Sequence, residues 1–149
     1  MNHHQKAQQL YRNKKVLILG LGINQGGVGA ARFFAEAGAK LRVTDLKSKE
    51  ELQSSTDELG ERSNIEYILG QHRFEDIDWA DLIIRNPALK PDNSYLQYAA
   101  KKNKTVEMDL GILLQFISTD RLIGVTGTKG KSTTASLIYE ALLAGHIKV

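Results

Sequence analysis

The stretch KVLILGLGINQGGVGAARFF, residues 15–34, decides the fold of this 149-residue chain. After Lys15, the next four residues, VLIL, are all apolar. Consecutive apolar residues are typical of a strand covered on both faces. A glycine-rich turn follows, and then a segment of helix length. Since a strand, a glycine turn and a helix in this order form the first half of a βαβ unit, the stretch predicts an α/β fold with a parallel sheet.

The rest of the chain repeats this alternation of short apolar runs and helix-length segments. It predicts a Rossmann-like parallel sheet domain with crossover helices over residues 1–119. The first strand, phosphate loop and helix of a second α/β domain are predicted over residues 120–149, with the boundary in the segment STDR, residues 118–121. Predicted strands are 15–19, 40–44, 65–69, 81–85, 105–107 and 122–126, and predicted helices are 27–37, 48–59, 94–102, 109–116 and about 131–144.

Composition indicates a globular protein, with 42% hydrophobic and 25% charged residues. The sequence contains no cysteine, which excludes a disulfide framework and a thiolate metal site. The longest apolar run, residues 16–23, is too short to span a bilayer, so we expect a cytoplasmic protein without a membrane partner. The net charge of +3 is spread along the chain, so we expect no nucleic-acid partner. The basic cluster at residues 1–15 is interpreted as a segment that leads into the first strand, with His3 and His4 as solvated tail residues.

The first glycine loop, GLGINQGG, follows the opening strand and begins a helix, which favours a phosphate or diphosphate at the helix N-terminus. Asp45 ends the second strand, where dinucleotide enzymes place a ribose-binding carboxylate. However, the third glycine of the dinucleotide fingerprint would fall on Gln25. A nucleotide other than NAD or NADP is therefore the favoured ligand, and NAD(P) or a purely structural glycine turn are the alternatives.

The second glycine loop, GTKGKST, lies between a predicted strand and a predicted helix, the context that a phosphate loop needs. The loop consists of Gly127, Thr128, Lys129, Gly130, Lys131, Ser132 and Thr133. The glycines let the backbone wrap phosphate oxygens, Lys131 supplies positive charge, and a hydroxyl of Ser132 or Thr133 can ligate Mg²⁺. Val125 stands where the strict pattern has a glycine, so this is a variant loop. It predicts ATP and Mg²⁺ as cofactors, with an incidental glycine turn as the alternative.

Six segments occur in an order that resembles the Mur ligases of peptidoglycan synthesis: VLILGLG, VTDLKSKEEL, ILGQH, IIRNPAL, EMDLGILLQF and GVTGTKGKSTT. The resemblance covers nearly the whole chain from Lys15 onward. Within the family, it is strongest to members that add D-glutamate to UDP-N-acetylmuramoyl-L-alanine. Two departures are visible: the first glycine loop is about two residues longer than in those members, and Ala88 stands where a glycine is usual.

The resemblance implies a three-domain ATP-dependent ligase whose N-terminal domain holds the UDP end of the substrate. In such a ligase, the γ-phosphate of ATP moves to the substrate carboxylate, and the amine of D-glutamate then displaces phosphate. By this resemblance, the diphosphate would lie against Gly22, Ile23, Asn24 and Gln25, the uracil near Asp45 and Leu46, and Asn86 and Pro87 would border the same cleft. Lys131, with Ser132 and Thr133, would take ATP and Mg²⁺.

One strand, one helix and the closing residues HIKV cannot enclose a core. We therefore expect an N-terminal piece of a longer ligase, inactive by itself. Leu137, Ile138, Ala141 and Leu142 would form an apolar helix face that packs back, self-associates or stays mobile. The alternatives are another Mur-type ligase, a nicotinamide-dependent oxidoreductase or a stand-alone nucleotide-binding module. His72, in a predicted turn, is interpreted as structural or solvent-exposed, with a substrate contact as the alternative.

Overall fold

A five-stranded parallel sheet forms the centre of the larger part of the chain. A computed structural model describes residues 2–23, 26–117 and 122–149. The strands are β1 (Lys15–Leu19), β2 (Lys40–Asp45), β3 (Ile65–Leu69), β4 (Leu82–Arg85) and β5 (Thr105–Glu107). The helices are α1 (His3–Tyr11), α2 (Gly26–Glu36), α3 (Gln53–Leu59), α4 (Phe74–Trp79), α5 (Ser94–Lys101), α6 (Asp109–Leu114) and α7 (Lys131–Ala144). The predicted α/β fold with a parallel sheet is confirmed.

The strand order is β3-β2-β1-β4-β5, so the chain winds outward from β1 in both directions. β2 pairs with one edge of β1 and β4 with the other. In sheets of this kind the loops after neighbouring strands diverge at such a switch point, which opens a crevice at the carboxyl ends of the strands. The crevice here lies beyond the ends of β1, β2 and β4.

Both faces of β1 are buried, as its consecutive apolar residues predict. Val16 and Ile18 belong to one hydrophobic layer, which α2 covers with residues such as Phe34. Leu17 and Leu19 point to the opposite layer, formed with side chains of α4 and α5. This alternation along one strand gives the sheet a helical layer on each side.

Two helices are not predicted by the sequence pattern. The segment expected to lead into the first strand contains α1, which buries Ala7 and Tyr11 and begins with a capping box between Asn2 and Gln5. Only two of its residues are buried, so the apolar pattern was too sparse to detect. His3 and His4 themselves are exposed. The other missed helix, α4, is only six residues long, and so short a segment has no readable periodicity.

The start of α3 was predicted too early. Residues 49–52 form turns, and the helix begins at Gln53. Ser48 caps the turn that precedes the helix. Its hydroxyl accepts from the Glu51 amide at 3.4 Å, and the Glu51 carboxylate accepts from the Ser48 amide at 2.9 Å. These two hydrogen bonds close a turn ahead of the helix, and the hydrophobic pattern does not distinguish that turn from the helix.

The chain divides into two compact units, Met1–Phe116 and Ile117–Val149. The predicted boundary segment 118–121 lies outside the described residues. In the second unit, α7 has the predicted bounds, but the predicted strand at 122–126 is wrong, because the described residues 122–149 contain no strand. A strand needs a neighbour to satisfy its backbone hydrogen bonds, and residues 122–126 pair with no other segment in the part of the chain that the structure describes.

No residue of α7, which lies wholly within the described residues, is buried. Leu137 is 66% exposed, Ala141 is also exposed, and Ile138 and Leu142 are half-buried. Across the described residues, no helix is long and apolar enough to cross a membrane.

Candidate functional site

The first glycine loop follows β1, and two of its residues have a backbone conformation that favours glycine. Gly20 has φ +93° and Gly22 has φ +69°, both in the region that side chains disfavour. The Gly20 amide donates to the Thr44 carbonyl oxygen at 2.9 Å, so the loop continues the pairing of β1 with β2. Further along, Gly27 lies so close to the Leu21 carbonyl that it has no room for a side chain. The N-terminus of α2 is thereby held against the loop.

Asp45 ties the end of β2 to this loop. Its Oδ2 accepts a hydrogen bond from the Gly22 amide at 2.8 Å, and its Oδ1 accepts one from the Lys47 amide at 2.9 Å. Asp45 is only 8% exposed. Each carboxylate oxygen has two lone pairs, so each retains one after these bonds. Asp45 can therefore organise the loop and still accept hydrogen bonds from a ligand.

Asn86 closes the opposite side of the crevice, directly after β4. Its Oδ1 accepts from the Ala88 amide at 2.9 Å, and its Nδ2 donates to the Gly20 carbonyl oxygen at 3.4 Å. A Cβ on Gly20 would stand 2.9 Å from the Asn86 Cβ. Pro87 lines a small hollow here with Gly20 and Gly27. The structure thus brings Gly22, Asp45, Asn86 and Pro87 together at one edge of the sheet, although they are distant in sequence.

Two apolar side chains stand at the rim of the crevice. Ile23, next to Gly22, is 52% exposed, and Leu46, next to Asp45, is 64% exposed. Exposed apolar groups beside polar ones suit a flat, partly apolar ligand group such as a nucleobase. Asn24 and Gln25, the other predicted diphosphate contacts, lie outside the described residues.

His72 is buried next to the same strand ends. It is 7% exposed, and its Nδ1 lies 2.9 Å from the Thr44 hydroxyl. Desolvation by burial lowers the pKa of His72, although the charges of Asp45 and Asp76 oppose the shift. Of the structural and solvent-exposed roles expected for His72, its burial agrees with the structural one. Its contact with Thr44 has no signal in the sequence, because Thr44 lies in a distant segment, β2.

The second glycine loop has the donor chemistry of a phosphate site. Gly127 has φ +152° and Gly130 has φ +79°, and residues 127–133 are all exposed. The Lys131 ammonium donates to the Gly127 carbonyl oxygen at 2.6 Å, folding back over the loop. An ammonium and the hydroxyls of Ser132 and Thr133 gathered at the start of α7 fit a phosphate with a divalent cation.

The apolar groove between α1, α2 and α6 offers few polar groups to a phosphate. It has a volume of about 650 Å³ and is lined largely by apolar side chains such as Phe33 and Phe116. The crevice instead brings the glycine loop together with the polar side chains of Asp45 and Asn86. We therefore place the candidate nucleotide site at the crevice.

Comparisons with known proteins point to one family. Residues 14–107 match the family model described as "Mur ligase MurD-like, N-terminal domain". Similar curated proteins are named UDP-N-acetylmuramoylalanine--D-glutamate ligase. The one from Borreliella burgdorferi (strain ZS7) is 46% identical over 132 residues, which are 88% of this chain and 28% of that protein. The one from Treponema pallidum (strain Nichols) is 41% identical over 141 residues, 94% of this chain and 26% of that protein.

A solved structure extends the similarity to three dimensions. The pseudomurein peptide ligase type C from Methanothermus fervidus superimposes with a TM-score of 0.52 at 27% identity. The superposition covers 89% of this chain and 26% of that one. The chain therefore spans less than a third of the length of these relatives.

Proposed function

Because this chain belongs to the MurD-like family of Mur ligases, we propose that it is the N-terminal part of an ATP-dependent ligase. The full enzyme adds D-glutamate to UDP-N-acetylmuramoyl-L-alanine in peptidoglycan synthesis. Its substrate is a nucleoside diphosphate, UDP, joined to a sugar that carries the reacting carboxylate, so one part of the enzyme must hold the nucleotide end. That task falls to the first unit of this chain.

The observation that supports this proposal most is the meeting of Gly22, Asp45 and Asn86 at the switch point of the sheet. The glycine loop and the N-terminus of α2 offer backbone N–H groups to the diphosphate. Asp45 uses its remaining lone pairs for hydrogen bonds from the ribose or uracil. These three residues come from the ends of three neighbouring strands, so they can enclose one ligand.

The remaining residues of the crevice give the ligand its orientation. Leu46 and Ile23 would flank the uracil ring with apolar surface, since both are exposed next to the polar residues. Asn86 and Pro87 would border the sugar end of the crevice. The carboxylate that reacts is at the far end of the substrate, so this unit binds and orients the substrate and takes no part in the bond changes.

The second unit would begin the ATP-binding domain, with the domain division at residues 1–119 and 120–149. When bound, ATP supplies the γ-phosphate that activates the substrate carboxylate for attack by the D-glutamate amine. Lys131 would hold the phosphates by charge, a hydroxyl of Ser132 or Thr133 would ligate Mg²⁺, and Gly127, Thr128, Lys129 and Gly130 would form the surrounding loop. The exposed donors of this loop support that assignment.

Several further properties belong to the same proposal. The full ligase would act in the cytoplasm, without nucleic-acid or membrane partners. The chain by itself would have no ligase activity, because the residues that bind D-glutamate would come from elsewhere in the full enzyme. The exposed apolar side chains of α7 favour weak self-association, which sedimentation velocity would detect as a rise in mean mass with concentration.

Isothermal titration of UDP-N-acetylmuramoyl-L-alanine into the purified chain tests the proposal. We expect binding that UDP competes for and that NADH does not. Asp45→Asn should weaken it by about tenfold, or about 1.4 kcal/mol, because the amide replaces one acceptor with a donor. Asp92→Asn, a substitution at an exposed residue, should leave the affinity unchanged. NADH binding in place of UDP binding would contradict the assignment.

A further inference from the structure

We propose that His72 is a positioning residue for the nucleotide site: it acts through Thr44 to hold the ends of β1 and β2 together, so that Asp45 and the glycine loop are set before the ligand arrives. The inference rests on the proposed function of the crevice. It assigns no direct ligand contact to His72. The arrangement is a relay of two side chains that ends on the backbone of β1.

The proposal includes a direction for the two hydrogen bonds at Thr44. The Thr44 hydroxyl oxygen lies 3.3 Å from the Ile18 carbonyl oxygen and 2.9 Å from His72 Nδ1. A carbonyl oxygen can only accept, so we assign the one hydroxyl proton of Thr44 to Ile18. With that assignment the hydroxyl oxygen accepts from His72, and the ring proton lies on Nδ1.

Thr44 passes this constraint to the site through its own backbone. Its carbonyl oxygen accepts from the Gly20 amide at 2.9 Å, and the next residue, Asp45, accepts from the Gly22 amide. The residue before His72, Gln71, forms a backbone bridge with Asp45. The segment that contains His72 therefore contacts the end of β2 at two points, through a side chain at Thr44 and through the backbone at Asp45.

His72 is itself held in place by α5. The Tyr95 hydroxyl donates to the His72 carbonyl oxygen at 3.0 Å, and the two rings meet edge to face with centroids 5.3 Å apart. The charged groups near the imidazole are Asp45, at the end of β2, and Asp76 in α4, whose carboxylate is paired with Arg42 and Arg73. Burial lowers the pKa of His72, which favours the neutral ring, and the tautomer with its proton on Nδ1 supplies the donor to Thr44.

Three substitutions at position 72 distinguish the effect of the N–H donor at Nδ1 from the effect of the side chain's volume. His72→Asn can place an amide N–H close to the position of Nδ1, whereas the longer side chain of His72→Gln reaches toward the position of Nε2. His72→Leu fills space without a donor. In titrations with UDP, we expect His72→Asn to stay within about threefold of the original affinity, and His72→Gln and His72→Leu to weaken it by about tenfold. Equal affinities for all three variants would overturn the proposal.

Thr44→Val tests the other end of the relay. It should weaken UDP binding about as much as His72→Leu, and the double variant should be little worse than either single variant, because all three break the same relay. Fully additive losses would contradict the relay. Ile112→Val, at the buried position of α6, controls for a general loss of stability and should leave the affinity unchanged.

Two measurements on the ligand-free chain keep this inference separate from the proposed function. His72→Leu should speed hydrogen exchange at the Gly20 and Gly22 amides more than Ile112→Val does. If the unaltered chain fails to bind UDP while this exchange effect is present, the proposed function fails and the positioning role of His72 stands. Nitrogen NMR of the His72 ring in the unaltered chain should show the proton on Nδ1; a proton on Nε2 would overturn the relay even if a variant fails to fold.

Discussion

Gly27 approaches Leu21 so closely that a Cβ on Gly27 would stand 2.2 Å from the Leu21 carbonyl oxygen. The contact is with backbone, which cannot move aside as a flexible side chain would. The start of α2 can therefore lie against the glycine loop only while residue 27 has no side chain. This contact places helix N–H groups beside the crevice.

Gly27→Ala should destabilise the chain by about 3 kcal/mol, since the new methyl group overpacks a rigid site. Gly29→Ala, in the same helix, is the matched control, because a Cβ there meets nothing within 4 Å. That control should gain about 0.5–1 kcal/mol from the lower entropy of the unfolded chain. Urea unfolding of both variants measures the difference, and equal effects would show that the close approach is absent.

Asp76→Ala should destabilise the fold strongly. The Asp76 side chain is 1% exposed and is bonded to Arg42 at 3.1 Å and to Arg73 at 2.6 Å. Breaking a buried ion pair costs about 3–5 kcal/mol, and we expect the lower end because both arginines reach solvent. Asp78→Ala, whose carboxylate is 47% exposed, should cost less than about 1 kcal/mol. A similar midpoint shift for both variants in denaturant unfolding would contradict this difference.

Tyr67→Phe should be neutral or stabilising by up to about 1 kcal/mol. Among the described residues, the Tyr67 hydroxyl is buried without a hydrogen-bond partner, and burial also raises its pKa. Removing it relieves an uncompensated desolvation cost. Tyr11→Phe is the control, because the Tyr11 hydroxyl donates to Gln115 Oε1 at 2.9 Å and its loss should cost about 1 kcal/mol. Thermal unfolding compares the two, and a clear loss of stability in Tyr67→Phe would reveal an unrecognised partner for its hydroxyl.

The stability of the chain should depend on the charge state of His72. Its pKa in the folded state lies below the unfolded value of 6.5, so the unfolded state binds more protons between the two values. The contribution of His72 to the free energy of unfolding should therefore be fully present above pH 6.5 and fall as the pH drops below that value, by at most about 1.4 kcal/mol per pH unit. In His72→Asn, the free energy of unfolding measured between about pH 7.5 and 5.5 should lack the part of its pH dependence that comes from His72. An unchanged slope in that variant would contradict the burial of a neutral imidazole.

The sequence predicted those parts of the fold whose signals are local. Consecutive apolar residues such as Val16 and Leu17 predicted β1, and Asp45 was a site candidate because it ends a strand. Asn86 was a candidate only through the family resemblance. Signals that depend on tertiary contacts were missed or misread. The segment containing Tyr11 forms a helix because the aromatic side chains of α2 and Phe116 bury one side of it. A strand at 122–126 needs a neighbour that no local pattern supplies.

The hydrogen bonds inside the site could not be predicted from the sequence either. His72 and Thr44 are 28 residues apart, and nothing in either segment indicates that a parallel sheet will bring them together. Asp45 was expected to serve a ligand, but its bond to the Gly22 amide, which shapes the loop, follows only from the register of β1 and β2. Pairings of this kind are set by the whole sheet.

The central claim is that the crevice beyond β1, β2 and β4 holds the uridine nucleotide end of the substrate. Titration of UDP into the isotopically labelled chain, followed by amide NMR, tests this claim most directly. We expect saturable shifts of the Gly20, Gly22, Lys47 and Ala88 amide signals, and Asp45→Asn should raise the UDP concentration needed to saturate them. Saturation with UDP that leaves these four amides unmoved, or that shifts only the loop at residues 127–131, would contradict it.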